Sequence, residues 1–153
     1  MRGEDDEDTC LLQQMSHDAE AYLRSFSWCR DVQTSFFGGG VGGVFAVFLF
    51  NIRSTRADVS PWIWIVVGDI PSAYLPIEDA ETSAEVFKTY LRGMGRWVDY
   101  ARSEHNTPPG DDVPPVKIPA TPEWAEKLEK RLNSLRLIIQ PFFDDGEESN
   151  LVH

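Results

Sequence analysis

The sequence has few of the residues that build metal and thiol sites. It contains two cysteines, Cys10 and Cys29, and three histidines, His17, His105 and His153. None of them falls at a zinc-ligand spacing such as C-x-x-C or H-x-x-x-H, and no neighbouring base is placed to activate the Cys29 thiol. We therefore expect no metal and no cofactor. Two cysteines are the minimum for one disulfide, but we interpret them as reduced, structural thiols.

Long hydrophobic runs are also missing. The longest, residues 44–50, is far shorter than the roughly 20 residues that a membrane-spanning helix needs. The first ten residues are acidic and lack the basic and apolar segments of a secretory signal. From these two features we expect no membrane partner and a cytoplasmic location.

Basic residues are scarce relative to acidic ones. The chain has 14 Lys and Arg against 25 Asp and Glu, and its formal net charge is −11 at pH 7. Because such a chain would repel phosphates, we do not expect a nucleic acid as its partner. Two interpretations of the charge stay open. It keeps a small cytosolic protein in solution, or it matches a partner protein that has a basic surface.

Two segments of the chain are apolar at every position, residues 44–50 and residues 62–67. Strands that are apolar on both faces are typical of the middle of a sheet that helices cover. The polar connection between them, residues 51–61, is too short for a parallel crossover, so it predicts an antiparallel hairpin. Residues 73–77 are expected to return as a short edge strand, which Pro76 limits.

Three segments have the periodicity of amphipathic helices. The first covers about residues 8–26. The second opens with a capping box, in which Thr82 is the N-cap and Glu85 lies three residues later. The third begins with Thr121 as its cap, and Pro141 is expected to end it.

Together these segments predict one α+β domain that covers the whole chain. Its core is a small, mainly antiparallel sheet packed by the three helices. The acidic ends, residues 1–8 and residues 144–153, are expected to be frayed. Residues 38–43 contain G-x-G-x-x-G, but a dinucleotide site needs this motif between a strand and a helix. Since we expect these glycines to open a strand, we interpret them as permitting a tight approach of a strand and a helix, or a bulge.

Polar residues collect just after the second apolar segment, namely Asp69, Tyr74, Glu78 and Asp79. We interpret Asp69 as a turn residue whose carboxylate binds nearby backbone N–H groups. The alternative is a small hydrolase or ligand-binding protein with a pocket near Asp69 and Tyr74. Asp69 would then be the acid or base, Tyr74 a hydroxyl donor and His105 a second base.

The segments VGGVFAVFLF, WIWIVVGDIPSAYL, GRWVDYAR and IPATPEWAEKLEKRL resemble an uncharacterised family of small acidic bacterial proteins. That family is similar in a W-x-W-V-V-V-G-D-x-P-x-A-Y segment, which is the most specific part. The resemblance covers about residues 42–139. It implies no activity and no catalytic residue, because the family has no established activity. By analogy, some small acidic bacterial proteins of this build act as immunity proteins to toxins.

The charge and the lack of a catalytic constellation favour a protein-binding module, such as an immunity protein or inhibitor of a basic bacterial toxin or enzyme. A homodimeric structural protein is a further alternative. The residues that we expect to bind the partner are acidic or aromatic and lie in the proline-rich loop and the tail: Asp111, Asp112, Phe142, Phe143, Asp144 and Asp145.

Overall fold

The computed structural model describes residues 6–103 and 118–149, with only the backbone at residues 6, 8 and 141–149. Within these residues it confirms the predicted α+β class, with three helices and a four-stranded antiparallel sheet. The elements in chain order are α1 (Asp6–Arg24), β1 (Cys29–Val41), β2 (Phe45–Ser54), β3 (Trp62–Gly68), β4 (Ala73–Pro76), a 3-10 turn (Ile77–Asp79), α2 (Ser83–Arg102) and α3 (Pro122–Ser149). They fall into two compact units, Met1–Val86 and Phe87–His153.

The sheet belongs to the first unit, and its strands follow each other in the order β1-β2-β3-β4. Every neighbouring pair is antiparallel. The strands β2 and β3, which contain the two wholly apolar segments, are therefore central and form the predicted hairpin. The short strand β4 lies at the edge beside β3, also as predicted.

One strand, β1, was not predicted from the sequence. The glycines of residues 38–40 end β1 instead of opening β2, and Gly42 and Gly43 lie in the turn between these strands. The pairing of β1 with β2 shifts register at three places. Each shift breaks the two-residue alternation that reveals a strand in a sequence, so the pattern was hidden. The shift between Phe37 and Gly39 is the bulge that the glycines predicted.

A glycine is required where β1 approaches β2 most closely. A Cβ added at Gly40 would lie 2.5 Å from the carbonyl oxygen of Phe45 and 2.8 Å from the Cα of Ala46. Both atoms belong to the backbone of a central strand, which cannot move aside. At Gly40 the close approach is therefore between two strands, and not between a strand and a helix as predicted.

Helix α1 packs against one face of the sheet. Its buried residues recur at helical spacing and meet alternate residues of β2 and β3, in one cluster formed by Leu12, Met15, Ala19, Leu23, Ala46, Phe48, Phe50, Ile52, Ile63, Ile65 and Val67. Each large apolar side chain that is fully buried stabilises the fold by roughly 1.5–3 kcal/mol. Beside this cluster, the backbone N–H of Gly43 donates to Sδ of Met15 at 3.3 Å. The β1–β2 turn thus lies near the first half of α1.

The predicted cap of α2 is confirmed with one difference in its partner. The backbone N–H of Glu85 donates to Oγ1 of Thr82 at 3.2 Å. The Glu85 carboxylate accepts from the backbone N–H of Glu81 at 2.8 Å, one residue before the N-cap. The two side chains therefore satisfy two backbone donors at this helix start, as a capping box does.

Helix α3 begins as predicted and ends later than predicted. The backbone N–H of Trp124 donates to Oγ1 of Thr121 at 3.3 Å. The prediction that Pro141 ends the helix is wrong, because α3 continues to Ser149. A proline inside a helix removes the hydrogen bond to the residue four positions earlier, here Leu137. The Leu137 side chain is 77% exposed, so water can reach this side of the helix and bind the carbonyl that is left without a donor.

Within the second unit, an ion pair joins α2 and α3. Arg102 donates from Nη1 and Nη2 to the two carboxylate oxygens of Glu129, at 2.8 and 2.6 Å. Hydrogen bonding from Arg102 lowers the pKa of Glu129 below its ordinary value of 4.5.

None of the helices in the described residues is long and apolar enough to cross a membrane.

Candidate functional site

A cavity of about 540 Å³ opens in the first unit, beside the loop that joins β2 to β3. Its aromatic and charged lining comes from four places in the chain: the residue before β1, the β2–β3 loop, β4 and the 3-10 turn. These lining residues are Trp28, Arg56, Asp58, Tyr74, Glu78 and Asp79. Its volume lies within the range of about 300–1,000 Å³ that is typical of ligand pockets.

The pairing of β4 with β3 places Tyr74 in this cavity. Tyr74 lies opposite Ile65, and Pro76 lies opposite Ile63. Residues that face each other across an antiparallel pair project from the same side of the sheet. Ile63 and Ile65 belong to the cluster under α1, so Tyr74 projects from the α1 side, where the chain leaves α1 and reaches Trp28.

The rings of Trp28 and Tyr74 line the cavity, and Phe26 packs against both of them outside the lining. We call this group of three rings the aromatic wall. Phe26 stacks on Trp28 with ring centroids 4.9 Å apart and planes 16° apart. Tyr74 presents an edge-on contact to both rings, at 5.0 Å from Phe26 and 5.6 Å from Trp28. These are the offset and edge-to-face arrangements that aromatic pairs prefer. The Tyr74 side of the wall is open, because this residue is 38% exposed.

The charges around the cavity are unbalanced. Arg56 and Asp58 pair in the loop, with Nε donating to Oδ1 at 3.0 Å and Nη2 to Oδ2 at 2.6 Å. The hydrogen bond from Arg56 lowers the pKa of Asp58. Glu78 and Asp79 are exposed, and the structure shows neither side chain in a hydrogen bond or ion pair with another described residue. One arginine and three carboxylates give the lining a net charge of −2.

The structure brings some of the predicted polar residues together and separates others. Tyr74, Glu78 and Asp79 line the cavity, whereas Asp69 does not. Asp69 is exposed beyond the other end of β3, where its backbone N–H donates to the carbonyl oxygen of Val44 at 2.9 Å. His105, the second base of the alternative site, lies outside the described residues.

The residues predicted to bind the partner cannot be placed in a site. Asp111 and Asp112 lie outside the described residues. The positions of Phe142, Phe143, Asp144 and Asp145 fall within the backbone of α3, but their side chains are outside the described part.

Three lining residues, Trp28, Arg56 and Asp58, were not singled out from the sequence as site residues. They are far from Glu78 and Asp79 along the chain, and only the folding of the sheet makes them neighbours. Trp28 also follows an amphipathic helix, where an aromatic residue is typical of a core. Therefore no local pattern in the sequence indicated that these three residues line the cavity.

Cys10 is exposed and Cys29 is partly buried. Both Cys10 and Cys29 are free thiols, as expected from the sequence. Burial is the main cause that raises the pKa of Cys29. An activated thiol has a lowered pKa, so this environment is the opposite of a nucleophilic one. In the part of the chain with described side chains, no three His, Cys, Asp or Glu residues converge on a common metal position.

Comparison with protein-family models, with curated proteins and with solved structures found no match. Aromatic rings next to carboxylates attract cations, because the ring face and the carboxylate both present negative charge.

Proposed function

We propose that this chain is a protein-binding module whose acidic surface binds a partner protein with a basic surface. The observation that carries the proposal is the cavity, in which three carboxylates and an aromatic wall meet beside a single arginine. Protein interfaces are enriched in tryptophan and tyrosine, and their strongest contacts are aromatic side chains near polar groups. The chain as a whole has a net charge of −11, so it is negative like the lining of the cavity.

The particular role we propose is that of an immunity protein or inhibitor of a basic bacterial toxin or enzyme, acting in the cytoplasm and not on nucleic acid. A chain of this charge is attracted to a basic protein over a distance, which raises the association rate at low salt. The resemblance to small acidic bacterial proteins supports the same role by analogy.

The test begins with capture of a partner on the immobilised full-length chain, followed by identification and purification of that partner. We expect a basic protein whose affinity falls steeply as salt rises from about 50 to 300 mM, because exposed charges are screened within about a Debye length. Expression of the partner alone should harm the cell, and co-expression of this chain should restore growth. A partner with no excess of basic residues, or an affinity that salt does not change, would contradict the proposal.

A matched pair of variants tests whether the cavity itself binds the partner. Glu78→Gln removes one negative charge at the cavity, and Glu7→Gln removes one exposed charge near the start of α1. The 19 residues of α1 span about 28 Å and end at Arg24, four residues before Trp28, so Glu7 lies far from the cavity. We expect Glu78→Gln to weaken binding of the purified partner several-fold and Glu7→Gln to change it little.

A further inference from the structure

We propose that the cavity receives an arginine side chain of the partner protein, whose guanidinium contacts the rings of Trp28 and Tyr74 and pairs with Glu78 or Asp79. This inference rests on the proposed function and narrows it to one chemical group. It follows from three features of the cavity: its rings, its unpaired carboxylates and its size.

The rings are held in place before any partner arrives. Trp28 is stacked on Phe26, and Tyr74 contacts both of them, so the aromatic wall is ordered by its own contacts. A surface that is already ordered loses little conformational entropy when a ligand binds. A cation is attracted to the faces of such rings, and more strongly where water is excluded.

Two of the three carboxylates of the cavity, those of Glu78 and Asp79, are not neutralised by Arg56. Both carboxylate oxygens of Asp58 accept from Arg56, so the loop cation is already paired. Glu78 and Asp79 have no comparable cation among the described residues. A cation that enters the cavity therefore meets two carboxylates and does not displace an existing ion pair.

Arginine fits these features better than lysine does. Its guanidinium is planar, stacks on aromatic rings and donates two parallel hydrogen bonds to one carboxylate. The Arg56–Asp58 pair shows this two-pronged geometry at the rim of the same cavity. A cavity of about 540 Å³ takes one such side chain without rearrangement of the sheet.

The inference is tested with small probes on the full-length chain. N-acetyl-arginine methylamide is titrated while the backbone amide and indole N–H signals are followed by NMR. The matched probes are the lysine analogue and the citrulline analogue, which keeps the shape of arginine without its charge. We expect the arginine probe to shift the signals of Trp28, Tyr74 and the β2–β3 loop, with a Kd on the order of millimolar. The lysine probe should bind several-fold more weakly and the citrulline probe should give no saturable shift.

Variants of the cavity complete the test. Glu78→Gln should weaken the arginine probe roughly threefold to tenfold, the size expected for one exposed ion pair strengthened by a second contact. Tyr74→Leu should weaken it further, and Glu7→Gln should leave the affinity unchanged. Because Tyr74 also packs on Phe26, its variant is used only if its spectrum is that of a folded protein. If Tyr74→Leu does not fold, Glu78→Gln alone decides the test, because it changes an exposed side chain.

The outcomes separate the inference from the proposed function. Equal shifts with the citrulline probe, or shifts confined to residues outside the cavity, would overturn the arginine inference. If a basic partner binds with strong salt dependence but Glu78→Gln and Tyr74→Leu do not weaken it, the proposed function stands and the arginine inference is wrong. If the arginine probe binds the cavity but no basic partner is captured, the function is wrong and the preference of the cavity for a guanidinium is shown.

Discussion

The indole Nε1–H of Trp64 donates to the carbonyl oxygen of Ala80 at 2.7 Å, in a buried hydrogen bond. Trp64 is 6% exposed and Ala80 is 1% exposed. The bond ties the central strand β3 to the residue that follows the 3-10 turn Ile77–Asp79. Since that turn carries Glu78 and Asp79, the same bond helps to position the carboxylates of the cavity.

Replacement of Trp64 by phenylalanine should destabilise the fold through this bond. Phenylalanine keeps an aromatic ring but lacks the N–H, so the buried carbonyl of Ala80 loses its side-chain donor. A buried polar group without its partner costs about 1–3 kcal/mol. We expect a decrease of that size in the free energy of unfolding, measured by urea denaturation, with some additional loss from the smaller ring.

The matched control for this change is Trp62→Phe in the same strand. Trp62 is partly exposed and contacts Phe36 at a centroid distance of 6.1 Å, and no indole hydrogen bond of Trp62 is shown to a described residue. Its replacement should therefore cost less than about 1 kcal/mol. Equal decreases in the free energy of unfolding for the two variants would show that they result from the smaller ring and not from the lost hydrogen bond to Ala80.

Replacement by alanine should change the free energy of unfolding in opposite directions at two glycines. Gly68, at the end of β3, has φ of +147°, and a Cβ there would lie 2.3 Å from the carbonyl oxygen of Val44. Gly95 lies inside α2, and a Cβ there would have no neighbour within 4 Å. We expect Gly68→Ala to lower the free energy of unfolding by about 1–3 kcal/mol. Gly95→Ala should raise it by up to about 1 kcal/mol.

Thermal or urea unfolding of both variants measures this contrast. Each variant serves as the control of the other, because the chemical change is identical and only the backbone environment differs. A Gly68→Ala protein as stable as the parent would mean that the strand end can relax around the added methyl group.

Much of the fold was predictable because its signals are local. The apolar runs of β2 and β3 need burial on both faces, and Thr82 and Thr121 bond to backbone N–H groups only three residues away. The strand β1 was missed because its bulges disturb the alternation of its side chains. The continuation of α3 past Pro141 was missed because the cost of a proline depends on whether water reaches the carbonyl it leaves free.

The cavity was less predictable than the fold because it has no local signal. Tyr74, Glu78 and Asp79 were singled out from their position after a strand, and they do line the cavity. Asp69 shares that position in the sequence but lies beyond the opposite end of β3, so sequence proximity grouped residues that the hairpin separates. Its assignment as a turn residue that binds the backbone stays a prediction.

The pairing of Arg102 with Glu129 predicts a pH dependence in the second unit. Because hydrogen bonding from Arg102 lowers the pKa of Glu129 below 4.5, this group adds stability that is fully present above pH 4.5. The contribution is lost as the pH falls through the lowered pKa. Arg102→Gln should return the Glu129 pKa toward 4.5, as measured by NMR titration of the carboxyl carbon. Arg102→Lys keeps the charge without the two-pronged bond, and it should retain part of the shift.

The last prediction concerns Tyr22, which contacts Phe26 of the aromatic wall at a centroid distance of 5.2 Å. Burial, and to a smaller extent Tyr74, raises the pKa of Tyr22 from 10.0 to about 12. A raised pKa in the folded state gives stability that is present below pH 10 and is lost as the pH rises toward 12. The difference between the ultraviolet titrations of the parent and of Tyr22→Phe isolates this group, and we expect its midpoint near 12. In Tyr74→Phe the midpoint should stay well above 10, because burial is the larger cause; a return to 10 would show instead that the charge of Tyr74 controls it.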